Sequence, residues 1–159
     1  MEATFGPNLE RRKEISEGLR RTEGGGFHVM GVLNITPDSF HAASRLASTE
    51  QAIQTGLKMW EDGAKWLDIG GESTRPGAEP VLPKEEIERV VPVIRGLREA
   101  NPSGLISIDT RRPEVARAAI EAGADLINDV SGLRDPLMVE LVLQTKCGVC
   151  IMHMQGEPG

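Results

Sequence analysis

LISIDTRRPEVARAAIEAGADLIN, residues 105–128, contains one full cycle of the pattern that organises this chain. Leu105 to Ile108 is a short run of the length expected for a buried strand, and it ends in Asp109. Pro113 suits the first turn of a helix, where its missing N–H costs nothing, and Gly123 suits the stop. A second run, Asp125 to Ile127, then ends in Asn128. Strand, helix and strand follow one another with no hairpin signal, which calls for a parallel sheet with right-handed crossovers.

The same cycle repeats on either side. Upstream, Phe27 to Leu33 ends in Asn34, and Lys65 to Leu67 ends in Asp68. Between them, Ser48-Thr49-Glu50-Gln51 fits a capping box, followed by an apolar stripe of Ile53, Leu57, Trp60 and Ala64. Pro83 opens a further helix with Ile87, Val90, Val91, Ile94 and Leu97 on one side, in which Pro92 is expected to weaken one turn. Downstream, Asp135-Pro136 reads as cap and first residue of a helix carrying Leu137, Leu141 and Val142. Val149 to Met152 is the fifth run and ends in His153. Residues 8 to 22 form a charged helix in a surface extension, 1–26, ahead of the domain proper, 27–159.

Every run is thus expected to end on a polar side chain, at the edge where parallel α/β folds bind ligands. That holds for a (β/α)8 barrel and for a doubly wound sheet alike. No G-x-G-x-x-G turn follows the first strand, which disfavours a dinucleotide fold. A barrel typically needs about 250 residues and eight units. Four units and a fifth strand are legible here, so the expectation is a partial TIM barrel cut from a larger protein.

Composition narrows the function. With 39% hydrophobic and 26% charged residues the chain is globular, and 3% aromatics with a formal charge of −6 exclude the usual nucleic-acid binders. No stretch is long and apolar enough to span a membrane, and the first 26 residues lack an apolar signal region, so the expected location is the cytoplasm. Cys147 and Cys150 have redox-like spacing but no second pair. Three residues apart in a strand they point to opposite faces, which favours two packing thiols.

Five ordered motifs resemble the dihydropteroate synthases: 29–40 (VMGVLNITPDSF), 67–77 (LDIGGESTRPG), 106–110 (ISIDT), 127–129 (IND) and 152–156 (MHMQG). The resemblance implies a TIM barrel that condenses 6-hydroxymethyl-7,8-dihydropterin pyrophosphate with para-aminobenzoate, releasing pyrophosphate. It implies pterin contacts at Asp68, Asp109, Asn128 and Met152, and aminobenzoate walls at Phe40 and Pro76. Thr74 and Arg75 would serve the pyrophosphate, and Mg2+ would be held through Asn34. The residue types suit these tasks, since a carboxylate accepts from two ring donors at once and a guanidinium forks onto phosphate. Asp109 and Asn128 would equally suit helix caps, and Asn34 a turn. The resemblance further implies a homodimer.

Two departures stand out. The first loop reads His41-Ala42-Ala43-Ser44-Arg45, without the acid and glycines usual in the family. The family's later Asp, Lys and Arg-x-His have no counterparts before Gly159, so the chain alone is not expected to turn over substrate. Two alternatives share the pattern: the pterin-binding domain of a methyltetrahydrofolate corrinoid methyltransferase, and a non-catalytic half-barrel that pairs with a partner.

Overall fold

The computed structural model describes residues 5–20, 26–35, 42–72 and 80–153. They form α1 (Leu9–Leu19), β1 (Met30–Asn34), α2 (Ala42–Glu61), β2 (Trp66–Gly70), α3 (Pro83–Ala100), β3 (Leu105–Asp109), α4 (Pro113–Ala122), β4 (Leu126–Asp129), α5 (Pro136–Thr145) and β5 (Gly148–Ile151). The five strands pair in parallel, in the order β1-β2-β3-β4-β5. Each crossover therefore advances in the same direction. A doubly wound sheet reverses at a switch point, so the order assigns these strands to the wall of a partial (β/α)8 barrel.

Side-chain alternation divides the wall into two faces. Leu33, Leu67, Ile69, Ile106, Ile108 and Ile127 face outward, into one core with Val90, Ile94 and Leu97 of α3, Val115 and Ile120 of α4, and Met138 and Leu141 of α5. At the amino-terminal end of β2, β3 and β4 the inner face is apolar. There Trp66, Leu105 and Leu126 form a second cluster with Ile15 of α1.

Although α1 lies in the expected surface extension, it closes that lower end. Its Gly18 backbone lies against Leu105 and Trp66 so closely that an added Cβ would meet the Leu105 side chain. The Trp66 indole donates to the Gly18 carbonyl at 3.1 Å. Arg11 fastens the helix to the foot of β4, where Asp125 also receives Arg98.

Several local expectations need correction. β1 starts at Met30, and α2 starts at Ala42, inside the atypical first loop. The Ser48–Gln51 box therefore lies within the helix; Ala-Ala-Ser-Arg-Leu-Ala contains no Gly or Pro to stop a helix from reaching back to Ala42. α3 runs unbroken past Pro92, which sits on the exposed side of the helix. Leu137, expected on the packed stripe of α5, is exposed and Met138 is buried in its stead, whereas Leu141 is buried as expected. The Asp135 cap is present, accepting from the Leu137 N–H at 2.9 Å. Cys147, just ahead of β5, is buried, whereas Cys150 within the strand is exposed, so only the first of the two expected packing thiols packs. No helix of the described residues is long and apolar enough to cross a membrane.

Candidate functional site

Strand register lines up Asn34, Gly70, Asp109, Asn128 and Cys150 as one row across the inner face, at the carboxyl ends of the strands. One pleat lower run Val32, Asp68, Ser107, Leu126 and Gly148. The expected site residues Asn34, Asp68, Asp109 and Asn128 thus share one face within two pleats. Met152 follows β5, half-exposed, and its N–H donates to the Asp129 carbonyl at 3.3 Å. Thr74, Arg75, Phe40 and Pro76 lie outside the described residues.

Asp68 corrects the expectation that every run ends on a polar residue. It is the middle residue of β2, which ends at Gly70. A buried carboxylate is tolerated there because neighbouring strands satisfy it. The Ser107 hydroxyl donates to Oδ1 at 2.6 Å, and Asn128 Nδ2 donates to Oδ2 at 2.9 Å. Accepting from Nδ2 fixes which way the Asn128 amide turns, and leaves its Oδ1 and second N–H for the cleft.

Asp109 is the opposite case. No described side chain or backbone N–H donates to its carboxylate, and it looks onto the cleft. Burial pushes its pKa up to about 6, and the nearby Asp68, Glu86, Asp129 and Glu72 push in the same direction. The arrangement is an acceptor in want of donors, beside an amide that both donates and accepts. A flat heterocycle with adjacent N–H groups and a carbonyl satisfies both.

Gly70 gives that heterocycle room. An added Cβ would stand 3.4 Å from Asn34 Oδ1 and 3.6 Å from Asp109 Oδ2, so a longer side chain would occupy the space between them. Gly70→Val is expected to weaken binding of a planar ligand by about tenfold, about 1.4 kcal/mol. Calorimetric titration checks this, and unchanged affinity would place the ligand elsewhere.

Asp129, fully buried, shapes the rim by accepting from Ser131 N–H and hydroxyl and from Leu133 N–H at 2.7–2.9 Å. Above β2 and β3, Arg112 joins Glu72 to Glu86. Sequence reasoning did not place Gly70, Ser107 or this ion pair in the site, and it read Cys150 only as a packing thiol. Counting by twos from Asp109 and Asp68 would have found Ser107 and Gly70; nothing local marks the others. Among the described residues, no group of three or more His, Cys, Asp or Glu side chains is placed to hold a metal ion.

Residues 30–159 match the family model for pterin binding enzymes. A curated dihydropteroate synthase of Synechocystis sp. is 48% identical over 155 residues, covering 97% of this chain and 52% of that protein. The Streptococcus pyogenes serotype M1 dihydropteroate synthase is 48% identical over 134 residues, 84% of this chain and 50% of that one. The chain spans about half the length of these curated relatives. Among solved structures, Xanthomonas albilineans dihydropteroate synthase with 4-aminobenzoic acid superposes with a TM-score of 0.73 at 48% identity, covering 81% of this chain and 47% of that chain. The Burkholderia cenocepacia enzyme complexed with 7,8-dihydropteroate gives 0.70 at 47% identity, covering 82% and 42%.

Proposed function

Since the chain belongs to the pterin-binding enzyme family, we propose that it forms the pterin-holding part of a dihydropteroate synthase. The observation that carries this reading is the Asp109 carboxylate, unpaired among the described residues, beside the oriented Asn128 amide, on a strand-end row whose floor is Gly70. Asp109 accepts from the ring N–H and amino group of the pterin, Asn128 meets its remaining polar edge, and Met152 supplies apolar lining. Asp68 acts through Asn128. The relatives named above are dihydropteroate synthases, which does not favour the methyltransferase alternative.

In the reaction, the aniline nitrogen of para-aminobenzoate bonds to the pterin methylene carbon. The C–O bond to pyrophosphate breaks with its electrons leaving on the pyrophosphate, and the nitrogen loses a proton to solvent. If the methylene ionises first, no strong general base is needed. Thr74 and Arg75 receive the departing polyanion, and Phe40 and Pro76 flank the amine. Mg2+ is compatible with the donors present: Asn34 offers one neutral oxygen at the row's end, and this ion takes most of its ligands from phosphate and water. When bound, it would offset the charge developing on the leaving group.

Titration of the chain with a pterin tests the reading. Saturable binding is expected at pH 7.5. Because the donors pair with ionised Asp109, affinity should fall as pH drops below about 6. No saturable binding, or binding indifferent to pH from 5 to 8, would sink the proposal.

A further inference from the structure

Two arginines, Arg111 and Arg112, follow Asp109 closely, and attraction between charges so near in sequence would ordinarily pair one of them with it. The structure turns both onto glutamates of other elements. Arg111 Nε lies 3.6 Å from Glu72 Oε2. Arg112 forks onto Glu72, Nη1 donating to Oε2 and Nη2 to Oε1, each at 2.8 Å, and Nη1 also donates to Glu86 Oε2 at 2.7 Å. Arg112 is thus matched by two carboxylates rather than one, and Asp109 by no described cation.

Glu86 lies in the first turn of α3 and is 1% exposed. Its side chain passes against Gly71, where an added Cβ would meet Glu86 Cγ at 3.0 Å and Val90 Cγ1 at 2.9 Å. Its Oε1 has no hydrogen-bond partner among the described residues. A buried carboxylate with one oxygen unmatched is a poor choice for stability alone, since packed apolar side chains commonly serve a fold as well as a buried ion pair. Its location is more informative: it stands beside the carboxyl ends of β2 and β3, where barrels place their chemistry. Thr110, Arg112 and Glu72 face it there. The acids around Asp109 are Asp68, Glu86, Asp129 and Glu72, and with burial they raise its hold on a proton. A carboxylate in that state accepts more strongly from neutral N–H donors than one already paired with a guanidinium.

We propose that Glu86 is a positioning residue for ring recognition: together with Glu72 it takes up the arginines that follow Asp109, so that the Asp109 oxygens stay open to the N–H groups of a pterin. The role rests on the pterin reading above and gives Glu86 no contact with the ligand. Loss of the Glu86 charge leaves Arg112 with one carboxylate fewer, and the guanidinium then competes with the ligand for Asp109.

The test titrates 6-hydroxymethylpterin into the full chain and its Glu86→Gln variant from pH 5 to 8. Glutamine keeps the volume and an acceptor for Arg112 while removing the charge. Binding at pH 7.5 should weaken by about fivefold, the worth of a partly exposed ion pair that the ligand must displace. The pH at which affinity is half lost should move down by about one unit, because a nearby cation favours ionised Asp109. Adding Arg112→Gln should recover most of the affinity and return the midpoint toward that of wild type, since the competing cation is gone. Unchanged affinity or an unmoved midpoint in Glu86→Gln overturns the proposal. So does a loss that the second substitution fails to recover, the signature of a merely structural role. If Glu86→Gln does not fold, Glu72→Gln, which keeps an acceptor for the Val81 N–H, alone and combined with Arg112→Gln, decides by the same readings. A wild-type chain that does not bind the pterin overturns the functional reading itself, and the role of Glu86 with it.

Discussion

Asp109→Asn is expected to weaken pterin binding by about a hundredfold while making the fold more stable. The first effect follows from what the carboxylate does. Two ligand N–H groups lose an anionic acceptor, each such bond contributing about 1.5–3 kcal/mol, and the new amide offers a donor to a donor. The second follows from its surroundings. Burial and the neighbouring Asp68, Glu86, Asp129 and Glu72 hold Asp109 at about 6 against an ordinary 3.8. Between those values the folded state binds more proton than the unfolded chain, so stability falls as pH rises through the window, and the full penalty applies above it. A neutral side chain escapes the penalty, gaining about 1–2 kcal/mol at pH 7 after allowance for partial exposure. Thermal melts should show the gain at pH 7 and lose it below about 4. A variant that melts lower at pH 7, or that keeps wild-type affinity, would contradict the assignment.

Asp125→Ala is expected to have the largest effect on stability, about 3–5 kcal/mol lost. Asp125 lies at the opposite end of the wall, and its carboxylate is fully engaged. Arg11 donates to both oxygens at 2.6 and 2.7 Å, Arg98 to Oδ2 at 2.8 Å, and the Ile106 N–H to Oδ2 at 2.9 Å. Removing it leaves two largely buried guanidinium groups and one buried N–H without their acceptor. Denaturant unfolding would measure the loss, and a cost below about 1 kcal/mol would show that backbone carbonyls alone hold the arginines. Pterin affinity per folded molecule should not change. The two substitutions therefore separate an end of the barrel that serves stability from an end that serves binding.

Both ends were legible to different degrees. The alternation of runs and helices identified the parallel architecture, because periodicity and Pro or Gly punctuation are local properties. Asp109 and Asn128 were legible for the same reason, each following a short apolar run. Strand order was not legible: the same βα units can build a barrel wall or a doubly wound sheet, and only pairing across the sheet separates them. Asp68 was misplaced because a polar residue looks like the end of a run, whereas Ser107 and Asn128 on two other strands let β2 continue to Gly70. The bonds of Arg11 to Asp125 and of Glu72 to Arg112 join residues 114 and 40 apart, where no window of sequence shows them together.

The docking of α1 also has a consequence in time. Each βα unit can pair with its immediate neighbour as it forms, but the carboxylate that fastens Arg11 lies 114 residues later. At usual synthesis rates that interval is on the order of ten seconds. Helix α1 therefore reaches its final seat only once the foot of β4 has been made, although it precedes every strand in the sequence. Until then Trp66 and Leu105 lack the cover of Ile15 and Gly18. The nascent chain passes through a stage in which one side of its sheet is greasy and open, and that is the interval in which a chaperone, or a neighbouring nascent chain, has most to hold.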